Sequence, residues 1–194
     1  DGLAPDPQRY LRSMQADLDA MSHLVDDLFL LATIEAGRLE IDPEPVDLAE
    51  LADESIEALQ PVASGKQVEL RLDASGSVPA LGGPEALGRV MRNLIDNAIR
   101  HGDTRVVVSL AADDQLRFRV EDDGEGFPPD FVDRAFESFT RADSARTRDG
   151  SGTGLGLAIA HGFVSALGGS IHAEPGPGGK VEFILPVDSV PPVA

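Results

Sequence analysis

Three short stretches carry side chains whose types and spacing can do chemistry together. Asn93 and Asn97 stand four residues apart, which puts both carboxamides on one face of a helix. An amide oxygen is a neutral, hard ligand of the kind Mg²⁺ accepts while bridging substrate phosphates; the plainer alternative is surface or capping polarity. Asp122 ends a β-rich run and precedes Asp123-Gly124-Glu125-Gly126, a sequence that turns the chain sharply and lets backbone approach a ligand. A buried carboxylate there can accept a hydrogen bond from an exocyclic amine such as that of adenine; the alternative is an ordinary turn aspartate. The third stretch, Gly150-Ser151-Gly152-Thr153-Gly154-Leu155-Gly156-Leu157, feeds an apolar pattern at Leu157, Ala160, Val164 and Leu167. A loop poor in side chains thus runs into a helix N-terminus, whose N–H groups and dipole suit phosphate oxygens. Without a ligand, such a loop is simply a connection.

Spacing excludes two familiar phosphate loops. A dinucleotide-binding turn needs a glycine where Leu157 stands and should follow a strand, whereas Arg141 to Asp149 are predominantly polar. A Walker-type loop needs Gly-Lys-Ser/Thr, and Gly179-Lys180 is followed by Val181. Arg141, Arg146 and Arg148 gather beside the glycines in a chain whose formal charge is −18. An anionic ligand must therefore be held by local cations, and the overall charge argues against nucleic-acid partners and anionic membrane surfaces.

The elements that must position these groups follow from the hydrophobic pattern. With 194 residues, 42% of them hydrophobic, the chain can bury a core; it has no cysteine for disulfides or thiolate metal sites, and no apolar run long enough to span a bilayer. Pro5 and Pro7 mark a connection, and the start at Asp1 suggests a fragment. Leu11, Met14, Leu18, Met21, Val25, Leu28 and Ala32 alternate in steps of three and four, the seam of a helical bundle, up to about Glu35 and a stop at Gly37. So narrow a stripe asks for a partner helix. Leu39 to Val46 reads as a linker entering an edge strand. Asp47 with Glu50 starts a helix expected to end near Gln60, and Gln67 to Leu72 alternates as a strand. Pro84, Leu87, Val90, Met91, Leu94, Ile95, Ala98 and Gly102 define the helix that carries the two asparagines. Thr104–Ala111 and Gln115–Val120 form a hairpin, a short helix lies around Phe131 to Phe136, and Ser170–Glu174 with Val181–Pro186 close the chain. Without βαβ regularity, the order predicts an α+β sandwich, a mixed sheet with helices on one face.

In this order the stretches resemble the catalytic, ATP-binding region of sensor histidine kinases. Asn93-Leu94-Ile95-Asp96-Asn97-Ala98 is similar to that family's asparagine box and Asp122-Asp123-Gly124-Glu125-Gly126 to its first glycine box. Phe136-Glu137-Ser138-Phe139-Thr140-Arg141 resembles its phenylalanine box and Gly152-Thr153-Gly154-Leu155-Gly156-Leu157 its second glycine box. Leu24-Val25-Asp26-Asp27-Leu28 with Glu35-Ala36-Gly37 resembles the second helix of the dimerisation and phosphotransfer bundle, so the likeness covers about residues 6 to 187.

The resemblance implies a Bergerat-type α/β sandwich over 39–190, as in gyrase-like ATPases, preceded by a partial dimerisation region over 1–38. It implies ATP and Mg²⁺, the metal held by Asn97 with help from Asn93, and Asp122 on the adenine amino group. Gly124 and Gly126, with Phe127 beside them, would shape the floor, Arg100 and Arg141 would face phosphates, and His101 would lie near the base. Gly152, Thr153, Gly154, Leu155, Gly156 and Leu157 would close over the triphosphate, with Phe136 and Phe139 anchoring that lid. The implied reaction is transfer of the γ-phosphoryl group to a histidine, since a water-activating glutamate of the related ATPases is replaced by Asn93, and an amide is no general base. The implied partners are a response-regulator receiver domain and a second copy through the bundle, in the cytoplasmic part of a plasma- or inner-membrane sensor.

The chain departs from the pattern in three places. It has no His-Glu/Asp-Leu-Arg-x-Pro acceptor stretch, and His23 falls on the outer side of the seam. Asp123 replaces a usual asparagine, and Val181 a common threonine that could support Asp122. The alternatives are a nucleotide-binding or dimerising module without phosphotransfer and, fitting less well, a serine kinase of the anti-sigma type.

Overall fold

The computed structural model describes residues 7–74, 76–141 and 153–186. Helix α1 (Pro7–Glu35) is one continuous rod that stops where Gly37 takes φ +63°, as its sequence pattern predicts. Strand β1 (Glu44–Asp47) pairs antiparallel with β3 (Pro79–Gly82), a short strand that the alternation of residues does not reveal. Between them lie α2 (Leu48–Lys66) and β2 (Glu69–Asp73). Asp47 caps α2 by accepting from Ala49 N–H at 2.9 Å, and the same Oδ1 takes Val78 N–H at 3.0 Å, joining the helix start to the β3 approach.

The expected end of α2 at Gln60 is too early. Pro61 lies inside the helix, which continues to Lys66. Proline removes one N–H and strains one turn, but buried Ala63 keeps that turn packed, and Gln67 closes it in a left-handed conformation, φ 61°, with its N–H on Ala63 and Ser64 carbonyls.

Helix α3 (Pro84–His101) begins with proline at its first turn and buries Leu87, Val90, Met91, Leu94, Ile95 and Ala98, the predicted stripe. Strands β4 (Arg105–Ala112) and β5 (Gln115–Asp122) are the predicted hairpin, the first shifted by one residue and the second two residues longer. A 3-10 turn (Val132–Arg134) stands where a short helix is expected. Helix α4 (Gly156–Ala166), β6 (Ser170–Ala173) and β7 (Lys180–Pro186) follow.

The five-stranded sheet has the order β2-β4-β5-β7-β6. Among the described strands only β2 and β4 run parallel, which makes a β-α-β crossover through α3 that the sequence reading leaves out. Inward residues alternate along each strand: Val106, Val108, Leu116, Phe118, Val120, Val181, Phe183 and Leu185 are all buried. Phe118 and Phe183, partners in register, stack at 5.0 Å. These side chains pack against α3 and α4, in one core. The last residues of β5 and α3 emerge together at one end of it, and there the candidate groups lie.

Helix α1 joins this core only near its C-terminal end. Leu31 is buried, Ile34 presses on Gly162 of α4, and Asp27 Oδ1 meets the Arg89 guanidinium at 2.5 Å. The predicted seam is left exposed: Leu11, Met14, Leu18, Met21 and Val25 each keep 60% or more of their surface. Among the described residues no helix is long and apolar enough to cross a membrane.

Candidate functional site

Helix periodicity sets Asn93, Asn97 and Arg100 on one half-buried face of α3, opposite its apolar stripe. Asn93 Nδ2 donates to the Gly156 carbonyl at 3.1 Å, which ties α3 to the first turn of α4 and leaves Oδ1 as the amide's acceptor. The Asn97 amide has no protein hydrogen-bond partner among the described residues. Arg100 Nε bonds Asp96 Oδ2 at 2.7 Å within the helix, so the guanidinium is anchored beside the asparagine face.

Asp122 closes β5 opposite the end of α3. Its Oδ1 takes two backbone N–H groups, Gly124 at 2.9 Å and Gly179 at 3.1 Å, while no protein donor reaches Oδ2 among the described residues. Burial raises its pKa above the ordinary aspartate value, against the two N–H groups and His101, which favour the charge. His101 is held below the usual histidine range by burial and by Lys66, Arg100 and Arg141, with Asp122 opposing them. A histidine, a carboxylate and three cations therefore feel one another at this end of the core, in an acidic protein.

The glycines of the turn are required by contact. A Cβ on Gly124 would collide with the His101 carbonyl, and one on Gly126, φ +75°, with the Gly176 carbonyl. The turn is stitched to the β6–β7 connection by Gly178 N–H to the Gly124 carbonyl at 3.0 Å and Asp122 N–H to the Gly179 carbonyl at 2.8 Å. Phe127 stacks on Phe131 with centroids 6.4 Å apart, and its carbonyl takes Gly176 N–H, so it braces the turn.

The described end of the glycine loop is knotted to Phe139. Phe139 N–H donates to the Gly154 carbonyl at 2.9 Å, and Thr153 Oγ1 accepts Leu155 N–H at 3.2 Å. Leu155 is fully buried and Leu157 packs on the core, so their side chains anchor the segment and only their backbone can serve a ligand. Gly154 has φ +71°, and a Cβ there would press on Phe139 backbone. Phe136 is an anchor as expected, packed on the core with His161 5.9 Å away; Phe139 is not, for its ring is 63% exposed and only its backbone, at φ 60°, holds the knot. Gly150, Ser151 and Gly152, with Arg146 and Arg148, lie outside the described residues.

Two groups here, Gly179 as a donor and Lys66, escape the sequence reading, and a third, Val181, has a different surrounding from the one expected. Gly179 donates to Asp122, a role only the fold reveals because 57 residues separate them. Val181, where a hydroxyl was missed, is instead buried in the sheet, and backbone N–H groups orient the aspartate. Lys66 Nζ reaches the Arg100 carbonyl at 3.4 Å, adding a cation at the end of α3; its place after a glycine at a helix end was the available signal.

Residues 82–189 match the family of histidine kinase-, DNA gyrase B-, and HSP90-like ATPases. The chain belongs to that family. It is 39% identical, over 197 residues and 95% of its length, to the sensory/regulatory protein RpfC of Xanthomonas campestris pv. campestris, of which it spans 27%. Its fold is shared with ShkA, solved in full length in complex with AMPPNP, at TM-score 0.80 and 28% identity, covering 96% of this chain and 40% of that one. The histidine kinase AdeS of Acinetobacter baumannii also superimposes with TM-score 0.80, at 25% identity, covering 96% of this chain and 87% of AdeS. The mixed sheet backed by helices is thus that of histidine kinase catalytic domains. The chain spans about a quarter of the length of RpfC.

Proposed function

We propose that this chain is the ATP-binding catalytic part of a sensor histidine kinase, passing the γ-phosphoryl group of ATP to a histidine on a bundle helix for relay to a response-regulator receiver domain. The observation that carries the reading is Asp122: a carboxylate shifted by burial, fixed through Oδ1 by two backbone N–H groups and keeping Oδ2 for an outside donor, at the end of the helix that bears Asn93 and Asn97. An adenine amino group is such a donor.

The donor set suits a magnesium nucleotide. Asn97, with no protein partner among the described residues, and Asn93, whose nitrogen is committed to Gly156, offer hard neutral oxygens on one helix face. Bound there, Mg²⁺ would neutralise phosphate charge. The chain's own residues do the rest. Asp122 orients the base, with His101 beside it. Arg100 and Arg141 supply positive charge, and the bond from Phe139 N–H to the Gly154 carbonyl ties down the glycine segment, which in this reading covers the phosphates. Asn93 cannot take a proton from water, so the site favours transfer over hydrolysis.

In this reading 39–190 form the catalytic unit and 1–38 contribute one bundle helix, whose exposed seam is the surface for a second copy. The parent is a membrane sensor with this part in the cytoplasm. The test is transfer of labelled phosphate from ATP to a separately supplied bundle helix that bears the acceptor histidine. Mg²⁺-dependent label on that histidine, lost in Asn97→Ala, is expected. Nucleotide binding with no transfer would favour a binding module, and full transfer by Asn97→Ala would contradict the metal role.

A further inference from the structure

Asp123 stands next to the proposed adenine carboxylate, yet the nucleotide reading gives it nothing to do. Its Oδ1 accepts the backbone N–H groups of Asp103, Thr104 and Arg105 at 3.0, 2.9 and 3.0 Å, and its Oδ2 takes the Thr104 hydroxyl. These donors hold the carboxyl far below the ordinary range, so it is ionised at any working pH. The three amides directly follow Gly102, where α3 ends. One side chain therefore clasps the α3–β4 turn to the turn after β5.

The clasp spans the contacts that build the site. A Cβ on Gly102 would lie 3.1 Å from the Asp122 Cβ, and Gly124 sits directly under the His101 carbonyl. We propose that Asp123 is a positioning residue that sets the approach of the α3 terminus, with Arg100 and His101, to the Asp122 carboxylate, and so sets how well the site selects adenine. This rests on the nucleotide reading above. Asparagine keeps one oxygen for the three amides, and the Thr104 hydroxyl can turn to accept from its nitrogen. Alanine leaves the amides to water at an exposed turn, which loosens the clasp without burying an unpaired group.

The experiment compares affinities for non-hydrolysable analogues of ATP and ITP, whose base bears a carbonyl oxygen in place of the amino group. The native protein is expected to favour ATP by roughly tenfold or more, because a carboxylate repels that oxygen. Asp123→Asn should hold this ratio within about threefold, and Asp123→Ala should bring it to within about threefold of unity. Mere loosening of the fold would weaken both ligands alike and leave the ratio standing. If Asp123→Ala does not fold, Asp123→Ser, which can serve one amide, is expected to give an intermediate ratio. A native ratio in Asp123→Ala or Asp123→Ser, or an equal loss in Asp123→Asn, overturns the role of Asp123 alone. A native protein that binds both analogues equally overturns the adenine reading, and this role with it.

Discussion

Asp122 shows how one residue can be poised for binding at some expense to folding. Burial raises its pKa, so the ionised form is disfavoured in the folded protein relative to the unfolded chain, and ionisation lowers stability as pH rises through the folded value. Affinity has the opposite sign, because only the carboxylate accepts the amine. Nucleotide affinity is expected to fall on acidification through a pH window above the ordinary aspartate range of about 4, and a pH series of titrations reads this directly. In Asp122→Asn the Oδ1 that takes Gly124 and Gly179 N–H groups is retained. That variant should unfold at the same temperature or higher at pH 7, yet bind the nucleotide at least about tenfold more weakly and lose the acid sensitivity. Loss of stability matching the loss of affinity would mean that Asp122 is only structural.

At the scale of elements, the account rests on helix ends and junctions. Asp47 serves both the α2 cap and Val78 N–H; burial pushes its pKa up, but the hydrogen bonds outweigh this and hold it low. Asp47→Ala should cost about 1–2 kcal/mol in urea denaturation. The α1–α4 contact is tight enough that a methyl at Gly162 meets Ile34 Cγ2 at 2.5 Å. Gly162→Ala is expected either to lower stability by about 1–3 kcal/mol or to release α1, seen as faster proteolysis of residues before Gly37. A variant unchanged in both would show that this contact is not held in solution.

Much of this level is legible in the sequence, for a physical reason. The α3 stripe from Leu87 to Ala98 and the inward residues of β4 and β5 are periodic because one face is buried, and burial writes itself as period. Strand β3 is four residues with a proline at its start and a glycine at its end, too short to show alternation. The run of α2 past Pro61 depends on packing at Ala63, and the partnership of Asp122 with Gly179 depends on strand order, neither of which is local. The boxes named the candidate residues; they could not say that Phe139 holds through its backbone, or that Asp123 faces four donors.

The whole molecule joins a closed core to an open helix. Six large apolar side chains from Leu11 to Leu28 line one side of α1 with little cover, more exposed surface than an isolated helix holds in water without a partner. Self-association that rises with concentration is expected in sedimentation equilibrium, and Leu18→Glu should abolish it while leaving nucleotide affinity unchanged. A monomer at every concentration would contradict the bundle reading but not the nucleotide site.

The central claim, a magnesium-nucleotide site built by Asp122, Asn93 and Asn97, is tested most directly by calorimetric titration of the native protein and Asp122→Asn with a non-hydrolysable ATP analogue, with and without Mg²⁺. Binding that requires Mg²⁺ in the native protein and disappears in a folded Asp122→Asn is the expected result. Absence of binding to the folded native protein, or equal binding by the variant, would contradict it.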